Sequence, residues 1–257
     1  MAESGATAPL LEVFSSIQGE GVHVGRRQVF VRAVGCNLSC EYCDTPATRQ
    51  SPPLVWSVFT PDGEVASHPN PATVDEALTA VWELEGLCGP HHSLVITGGE
   101  PLLHPEFTGE LARRARKEGL AVHLETNSTL ADALETVLHC VDVVAADLKL
   151  RSATGQDAPL EASVAFISMA AEAGMEVFCK IIVTDGTDMA ELEAAARALA
   201  AAISRDIPLV IQPATAIPGK GFRAPSGATL AEMQRICLRD LADVRVIPQC
   251  HKILRLR

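Results

Sequence analysis

From Ser93 onward, strand-like runs alternate with helix-like runs, and that alternation leaves few folds open. Ser93–Thr97, Ala121–Glu125, Val141–Asp147, Glu176–Val183, Ile207–Gln212 and Val244–Pro248 read as short strands. Between them, Pro105–Glu118, Leu130–Leu138, Ala162–Ala173, Asp188–Ala202 and Leu230–Leu241 space their apolar residues for helices. Gly119 and Gly174 stand where two of those helices should end. Strands separated by helices pair in parallel. About six such units, rather than eight, predict an α/β chain folded as a partial, open (β/α)6-type, TIM-like barrel. In such barrels the reactive groups lie where strands end, and the charged and Gly-rich motifs of this chain fall there.

The first third of the chain is less regular. Residues 1–9 are small and polar and read as a flexible N-terminal tail. Leu10–Phe14 and Gln28–Val34 read as strands. Residues 49–72 are rich in Pro, Ser and Asp and read as an insertion loop, with Val55–Phe59 a small strand inside it. Thr73-Val74-Asp75-Glu76 has capping-box spacing and opens a helix with Val74, Ala77, Leu78, Val81 and Leu84 on one face. Residues 10–257 are expected to form a single domain.

Three cysteines, Cys36, Cys40 and Cys43, sit in Gly35-Cys36-Asn37-Leu38-Ser39-Cys40-Glu41-Tyr42-Cys43-Asp44-Thr45. The C-x3-C-x2-C spacing supplies three thiolates and no fourth. Thiolates hold iron–sulfur clusters, and a four-iron cluster with three protein ligands leaves one iron open to a small molecule. A structural zinc needs four ligands, commonly as C-x2-C pairs. Cys88, Cys140, Cys179, Cys237 and Cys250 are scattered and form no second pair, although Asp44 or a distant His could complete a zinc site. A disulfide framework fits less well, because no basic and apolar secretion signal opens the chain.

Hydrophobic residues make up 47% of the chain, enough for a sizeable core. The formal charge of −11 argues against a nucleic-acid partner and against an anionic membrane surface. No apolar run approaches a membrane span. Eight cysteines in such a chain suggest a reducing, cytoplasmic setting. His91, His92, His104, His123 and His139 show no metal-ligand spacing. Cys88, Cys140, Cys179 and Cys237 fall in or beside elements and read as buried small hydrophobes.

With Tyr42 just before the third cysteine, the loop resembles the cluster loop of radical S-adenosylmethionine (SAM) enzymes. Thr97-Gly98-Gly99-Glu100-Pro101, at a strand end, resembles their GGEP motif. Ser15-Ser16-Ile17-Gln18-Gly19-Glu20-Gly21, the continuation Cys43-Asp44-Thr45 and the closing Gln249-Cys250-His251-Lys252 resemble the 7-carboxy-7-deazaguanine synthase family. The likeness runs from Leu11 to the end of the chain.

The resemblance implies a [4Fe–4S] cluster on Cys36, Cys40 and Cys43, with SAM bound at the open iron. It implies SAM contacts from Tyr42, Cys43, Asp44, Gly99, Asp147, Leu148, Lys149 and Gln212. Many relatives carry Ser-Pro-Lys where this chain has Asp147-Leu148-Lys149. The implied reaction is ring contraction of 6-carboxy-5,6,7,8-tetrahydropterin to 7-carboxy-7-deazaguanine with loss of ammonia, in queuosine and 7-deazapurine biosynthesis. Mg²⁺ would be held by Thr45, an oxygen ligand of the kind this ion prefers. The substrate would meet Ile17, Gln18, Gly19, Arg32, Thr97, His251 and Arg257, the last through its terminal carboxylate. Arg255 stands where relatives commonly have Gly. The implied partners are a flavodoxin or ferredoxin-type electron donor and a second copy of the chain in a homodimer. The runner-up is a glycyl-radical-enzyme activase, but those enzymes typically follow the third cysteine with His-Asn.

Overall fold

The computed structural model describes residues 5–257. The strands are β1 (Thr7–Ala8), β2 (Leu10–Ile17), β3 (Arg27–Ala33), β4 (Val55–Thr60), β5 (Gly63–Pro69), β6 (Ala72–Thr73), β7 (Leu94–Gly98), β8 (Val122–Thr126), β9 (Val143–Asp147), β10 (Glu176–Val183), β11 (Leu209–Pro213) and β12 (Val244–Val246). The helices are α1 (Val74–Cys88), α2 (Pro105–Lys117), α3 (Ala131–Val137), α4 (Arg151–Thr154), α5 (Leu160–Glu172), α6 (Met189–Ala202), α7 (Gly227–Cys237) and α8 (Cys250–Leu254). Ten strands form one sheet in the order β12-β11-β10-β9-β8-β7-β3-β2-β4-β5. From β3 through β12 all neighbours run parallel. The sheet does not close on itself, so the predicted partial, open barrel is what forms.

Side chains alternate across a strand, and here the two faces have different tasks. The outer face carries Val29, Val31, Leu94, Ile96, Val122, Leu124, Val144, Ala146, Ile181, Val183, Leu209 and Ile211. These pack beneath helix residues such as Leu84, Leu111, Leu134, Phe166, Leu192 and Leu199 in one continuous core. Midway along the strands the inner face is apolar as well. Phe14, Phe30 and Val95 form one small cluster, and Val143, Ala145, Phe178 and Val210 form another.

The connection from β2 to β3 fills the lumen between those clusters. Val22 packs with the Phe178 group. His23 is buried, with the rings of His92, His123 and Phe178 around it. Its Nε2 lies 2.8 Å from Glu176 Oε1. Burial pushes the His123 imidazole down to about 3, so that ring is neutral near pH 7. Gly21 makes the turn possible. Its φ of +67° favours glycine, and a Cβ there would overlap the Phe178 ring.

Three expectations need correction. Thr7–Ala8, placed in a frayed tail, pairs with Ala72–Thr73, and Ala8 is buried; residues 1–4 of that tail lie outside the described residues. The 49–72 insertion is not chiefly loop. Its β4 and β5 form an antiparallel hairpin that extends the main sheet through β2. Trp56 and Val58 anchor it in the helix-side core. Cys179 and Cys237 are buried as expected, but Cys88 and Cys140 are partly exposed because they sit at the end of α1 and just after α3. The capping box forms as read, with Thr73 Oγ1 accepting from Glu76 N at 3.2 Å. No helix among the described residues is long and apolar enough to cross a membrane.

Gly21→Ala combines a left-handed backbone penalty with overpacking against Phe178. It should lower unfolding free energy by about 2 kcal/mol or more, read from urea denaturation.

Candidate active site

Near the C-terminal ends of the parallel strands the inner face turns polar. Arg32, Thr97, Glu125, Asp147 and Lys180 line a cavity of about 390 Å³, together with Glu12 from the antiparallel β2. That volume suits a small-molecule site. The cysteine loop closes one side and the segment 249–257 the other. All but two of the expected site residues reach this wall: Ile17, Gln18, Gly19, Arg32, Cys36, Cys40, Tyr42, Cys43, Asp44, Thr45, Thr97, Gly99, Asp147, Lys149, His251 and Arg257.

The two others differ from each other. Leu148 packs in the helix-side core, 1% exposed, so its side chain cannot touch a ligand in the cavity. This corrects the expectation as far as the side chain goes, and strand parity explains it: Asp147 points inward, so its neighbour points out. Gln212 is fully buried, in register with the wall residue Ile182.

The cysteine loop is bound to its surroundings through backbone and side chains. Gly35 N donates to Thr48 O at 2.7 Å, and Glu100 N donates to Gly35 O at 2.7 Å. Gly99 must be glycine, because a Cβ would overlap the Gly35 carbonyl. Beyond the loop, Asn127 Nδ2 donates to Asn37 Oδ1 at 2.8 Å, and Asn37 Nδ2 donates to Thr129 Oγ1 at 2.8 Å. Burial pushes the Cys36 and Cys40 thiols up, against the pull of the Lys149 ammonium.

A single tetrahedral zinc would hold its sulfurs ~3.8 Å apart, from Zn–S bonds of ~2.3 Å. Among the described residues, the ligand-type trio that draws within 4.8 Å is Glu20, Asp44 and His251, not the three cysteines. At least one pair of the three sulfurs therefore stands farther apart than a single zinc would hold it. Several buried polar atoms of the expected SAM contacts also lack a protein partner: Asp147 Oδ1, Tyr42 Oη, Gln212 Oε1 and Gln212 Nε2. Desolvated groups of this kind cost free energy unless something pairs with them. The residues present therefore fit a cluster with a polar ligand beside it.

A chain of alternating charges crosses the cavity. Lys149 Nζ lies 2.7 Å from Asp147 Oδ2, and Lys180 Nζ lies 3.7 Å from the same oxygen. Lys180 also pairs with Glu20. Gln249 Nε2 then donates to Glu20 Oε1 at 2.9 Å and to Asp44 Oδ2 at 3.0 Å. Lys252 Nζ sits 3.2 Å from that Asp44 oxygen. Burial opposes the Glu20 charge, but Lys180 outweighs it and holds the carboxyl down at about 2. Lys149 is likewise opposed by burial and raised by Asp147; its ammonium lies 5.3 Å from the centre of the Tyr42 ring. Glu20, Asp44 and Gln249, remote in sequence, thus meet at one hydrogen-bonded junction.

The wall opposite the cysteines is hydrogen-bonded too. Gln18 Nε2 donates to Glu125 Oε1 at 2.9 Å, and Thr97 Oγ1 donates to Glu125 Oε2 at 2.8 Å. Cys250 N donates to Gly19 O at 2.8 Å, seating α8 against Gly19 so closely that a Cβ there would overlap His251. Arg255 ends α8 with φ +57°, the conformation a glycine would adopt more cheaply. The turn survives the substitution, and Ser16 Oγ donates to Arg257 O at 3.0 Å.

Sequence reading left out Glu12, Glu125 and Lys180 and gave Glu20 and Gln249 no individual role. A usable signal existed for two of them: Glu125 and Lys180 are charged residues at inward parity in strands of the parallel sheet.

Residues 30–199 match the Radical SAM superfamily. A 7-carboxy-7-deazaguanine synthase of Geobacter sulfurreducens is 38% identical over 249 residues, covering 96% of this chain and 97% of the relative. One from Methanothermobacter thermautotrophicus is 38% identical over 267 residues, covering 97% and 98%. Among solved structures, QueE from Escherichia coli superposes with a TM-score of 0.60 at 22% identity, over 95% of each chain. A radical SAM methyltransferase from Sphaerobacter thermophilus gives 0.62 at 18%, covering 87% of this chain and 66% of that one.

The Glu20 carboxyl should report its ion pair through pH. Its pKa falls from 4.5 to about 2 on folding, so its stabilisation is complete above 4.5 and vanishes as pH falls towards about 2. The gap in unfolding free energy between wild type and Glu20→Gln, measured in urea, should close over that window. A gap independent of pH would contradict the pairing.

Proposed function

The chain belongs to the 7-carboxy-7-deazaguanine synthases of the radical SAM superfamily, and we propose that it contracts 6-carboxy-5,6,7,8-tetrahydropterin with loss of ammonia, aided by Mg²⁺. The observation that carries the reading is the junction of three thiols with a polar cavity whose buried acceptors and donors lack protein partners. Cys36, Cys40 and Cys43 hold the [4Fe–4S] cluster. Bound there, the cluster and SAM would supply one-electron, radical chemistry to the cavity.

The protein's share is placement. Tyr42, Cys43, Asp44, Gly99, Asp147, Lys149 and Gln212 surround SAM. Asp147 Oδ1 offers a buried acceptor and Gln212 both an acceptor and a donor. Arg32 takes the substrate carboxylate, the geometry for which a guanidinium fork is suited. Ile17 and Gly19 present backbone to the ring, and the Gln18 amide, fixed by Glu125, reads its edge. Thr97, held by the same Glu125, and His251, above Gly19, complete the wall, with Arg257 at the mouth. Thr45 offers the oxygen for Mg²⁺, in a corner already furnished with the Asp44 and Glu20 carboxylates.

Electrons come from a flavodoxin or ferredoxin-type donor, and the enzyme works as a cytoplasmic homodimer. Anaerobic incubation of the reconstituted protein with the tetrahydropterin, SAM, reductant and Mg²⁺ should yield 7-carboxy-7-deazaguanine, detected by mass spectrometry; absence of that product would end this reading. Cys40→Ala should lose iron, sulfide and turnover together. Arg32→Ala should weaken substrate binding by about tenfold or more and leave SAM binding nearly unchanged. Equal loss of both ligands would refute the role given to Arg32.

A further inference from the structure

Glu12 is a buried carboxylate with a guanidinium on each oxygen. Arg32 Nε donates to Oε1 at 2.8 Å, and Arg257 Nε donates to Oε2 at 2.7 Å. The Glu12 side chain is only 10% exposed. It faces Arg32 directly across the β2–β3 ladder, so their pairing is fixed by register. Arg257 comes from the far end of the chain and is tied there by Ser16.

Both guanidinium groups are also backed by aromatic rings. Arg32 Cζ lies 5.1 Å from the centre of the Phe14 ring, which stacks on Phe30 at 4.7 Å. Arg257 Cζ lies 3.3 Å from the centre of the Phe59 ring. Phe59 belongs to the β4–β5 hairpin and stands opposite Phe14 in the β2–β4 register. Each guanidinium is thus held at its Nε end and on one face. The Nη groups of both have no hydrogen-bond partner among the described residues. Two guanidinium groups share the Glu12 carboxylate, and the chain's terminal carboxylate lies beside them at Ser16, so what the cluster offers an anion is its unpaired Nη groups and not a net positive charge.

We propose that Glu12 is a positioning residue that yokes Arg32 and Arg257 into a two-arginine clamp for the carboxylate of a flat heterocyclic substrate, with Phe59 making the inserted hairpin part of that clamp. The inference rests on the substrate reading above and adds Glu12, Phe59 and the Arg257 side chain to it. Pre-pairing with Glu12 fixes both forks before substrate arrives, which reduces the ordering cost of binding. Aromatic backing directs the remaining N–H groups to the edge, where a carboxylate can accept them.

The test is equilibrium binding of two fluorescent probes to the reconstituted, SAM-loaded enzyme: 6-carboxypterin, and pterin without the carboxylate. Arg257→Gln and Glu12→Gln should each weaken 6-carboxypterin about tenfold, and Phe59→Leu about threefold, while pterin affinity stays within twofold. Arg257 is 46% exposed, so its replacement tests the clamp even if Glu12→Gln proves unstable. Glu12→Asp should recover part of the loss, and in turnover the variants should raise KM for the tetrahydropterin more than they lower kcat. Unchanged or tighter 6-carboxypterin binding in Glu12→Gln would show that Glu12 competes with substrate instead of serving it. Equal losses for both probes would also overturn the clamp. If the unaltered enzyme binds neither pterin, the substrate reading itself fails and the clamp fails with it.

Discussion

An open barrel has a lumen, and the lumen must be filled by something other than a ring of strands. Here the filling is the β2–β3 connection, with Val22 seated among Val143, Ala145, Phe178 and Val210. That one packing arrangement fixes much of the rest. It places Gln18, Gly19 and Glu20 immediately above the apolar layer, where strand ends supply Glu125, Lys180 and Asp147. It needs Gly21 in a left-handed turn over the Phe178 ring. It offers the Gly19 carbonyl to Cys250, so that the last helix can close over the cavity. Substrate-side geometry therefore depends on how a loop is packed from below.

Charges above that layer are buried, and buried charges persist only when paired. The alternation Lys149, Asp147, Lys180, Glu20 satisfies this requirement within the protein alone. Gln249 carries it on to Asp44 without adding charge. The arrangement keeps the charged groups preorganised, while Asp147 Oδ1 is left free to accept from a ligand. It also explains why motifs at residues 18–21, 43–45 and 249–252 occur together. They are three strands of sequence meeting at one hydrogen-bonded amide.

The barrel was legible because its strands and helices keep their periods; Glu176–Val183 was bounded to the residue and most others to within a few. The cysteine loop and its neighbours were legible because spacing alone limits the ligand count. What escaped detection was set by long-range contact. Val55–Phe59 read as an isolated strand, because the pairing of β4 with β2 and β5 has no local signature. Thr7–Ala8 looked like tail because two residues carry no period at all. Leu148 was assigned to the site as part of a three-residue motif, although parity turns its side chain to the opposite face. Glu12 gave no signal, since a carboxylate in a strand reads as a solvated edge until two arginines from elsewhere are found on it.

Glu100 illustrates how the cysteine loop is kept in place without using the cysteines. It is fully buried, and its carboxylate accepts from Leu102 N, Thr126 Oγ1 and Asn127 N. Burial outweighs those three bonds and raises the carboxyl to about 7. A buried carboxyl that costly is retained only where its bonds fix something. Here they fix the turn after β8, and Asn127 in that turn holds Asn37, the residue after the first cysteine. Glu100 N meanwhile donates to Gly35, the residue before it. One side chain and its own amide thus constrain the loop on both sides of Cys36. The position of Cys36 is therefore set by hydrogen bonds that do not involve its sulfur.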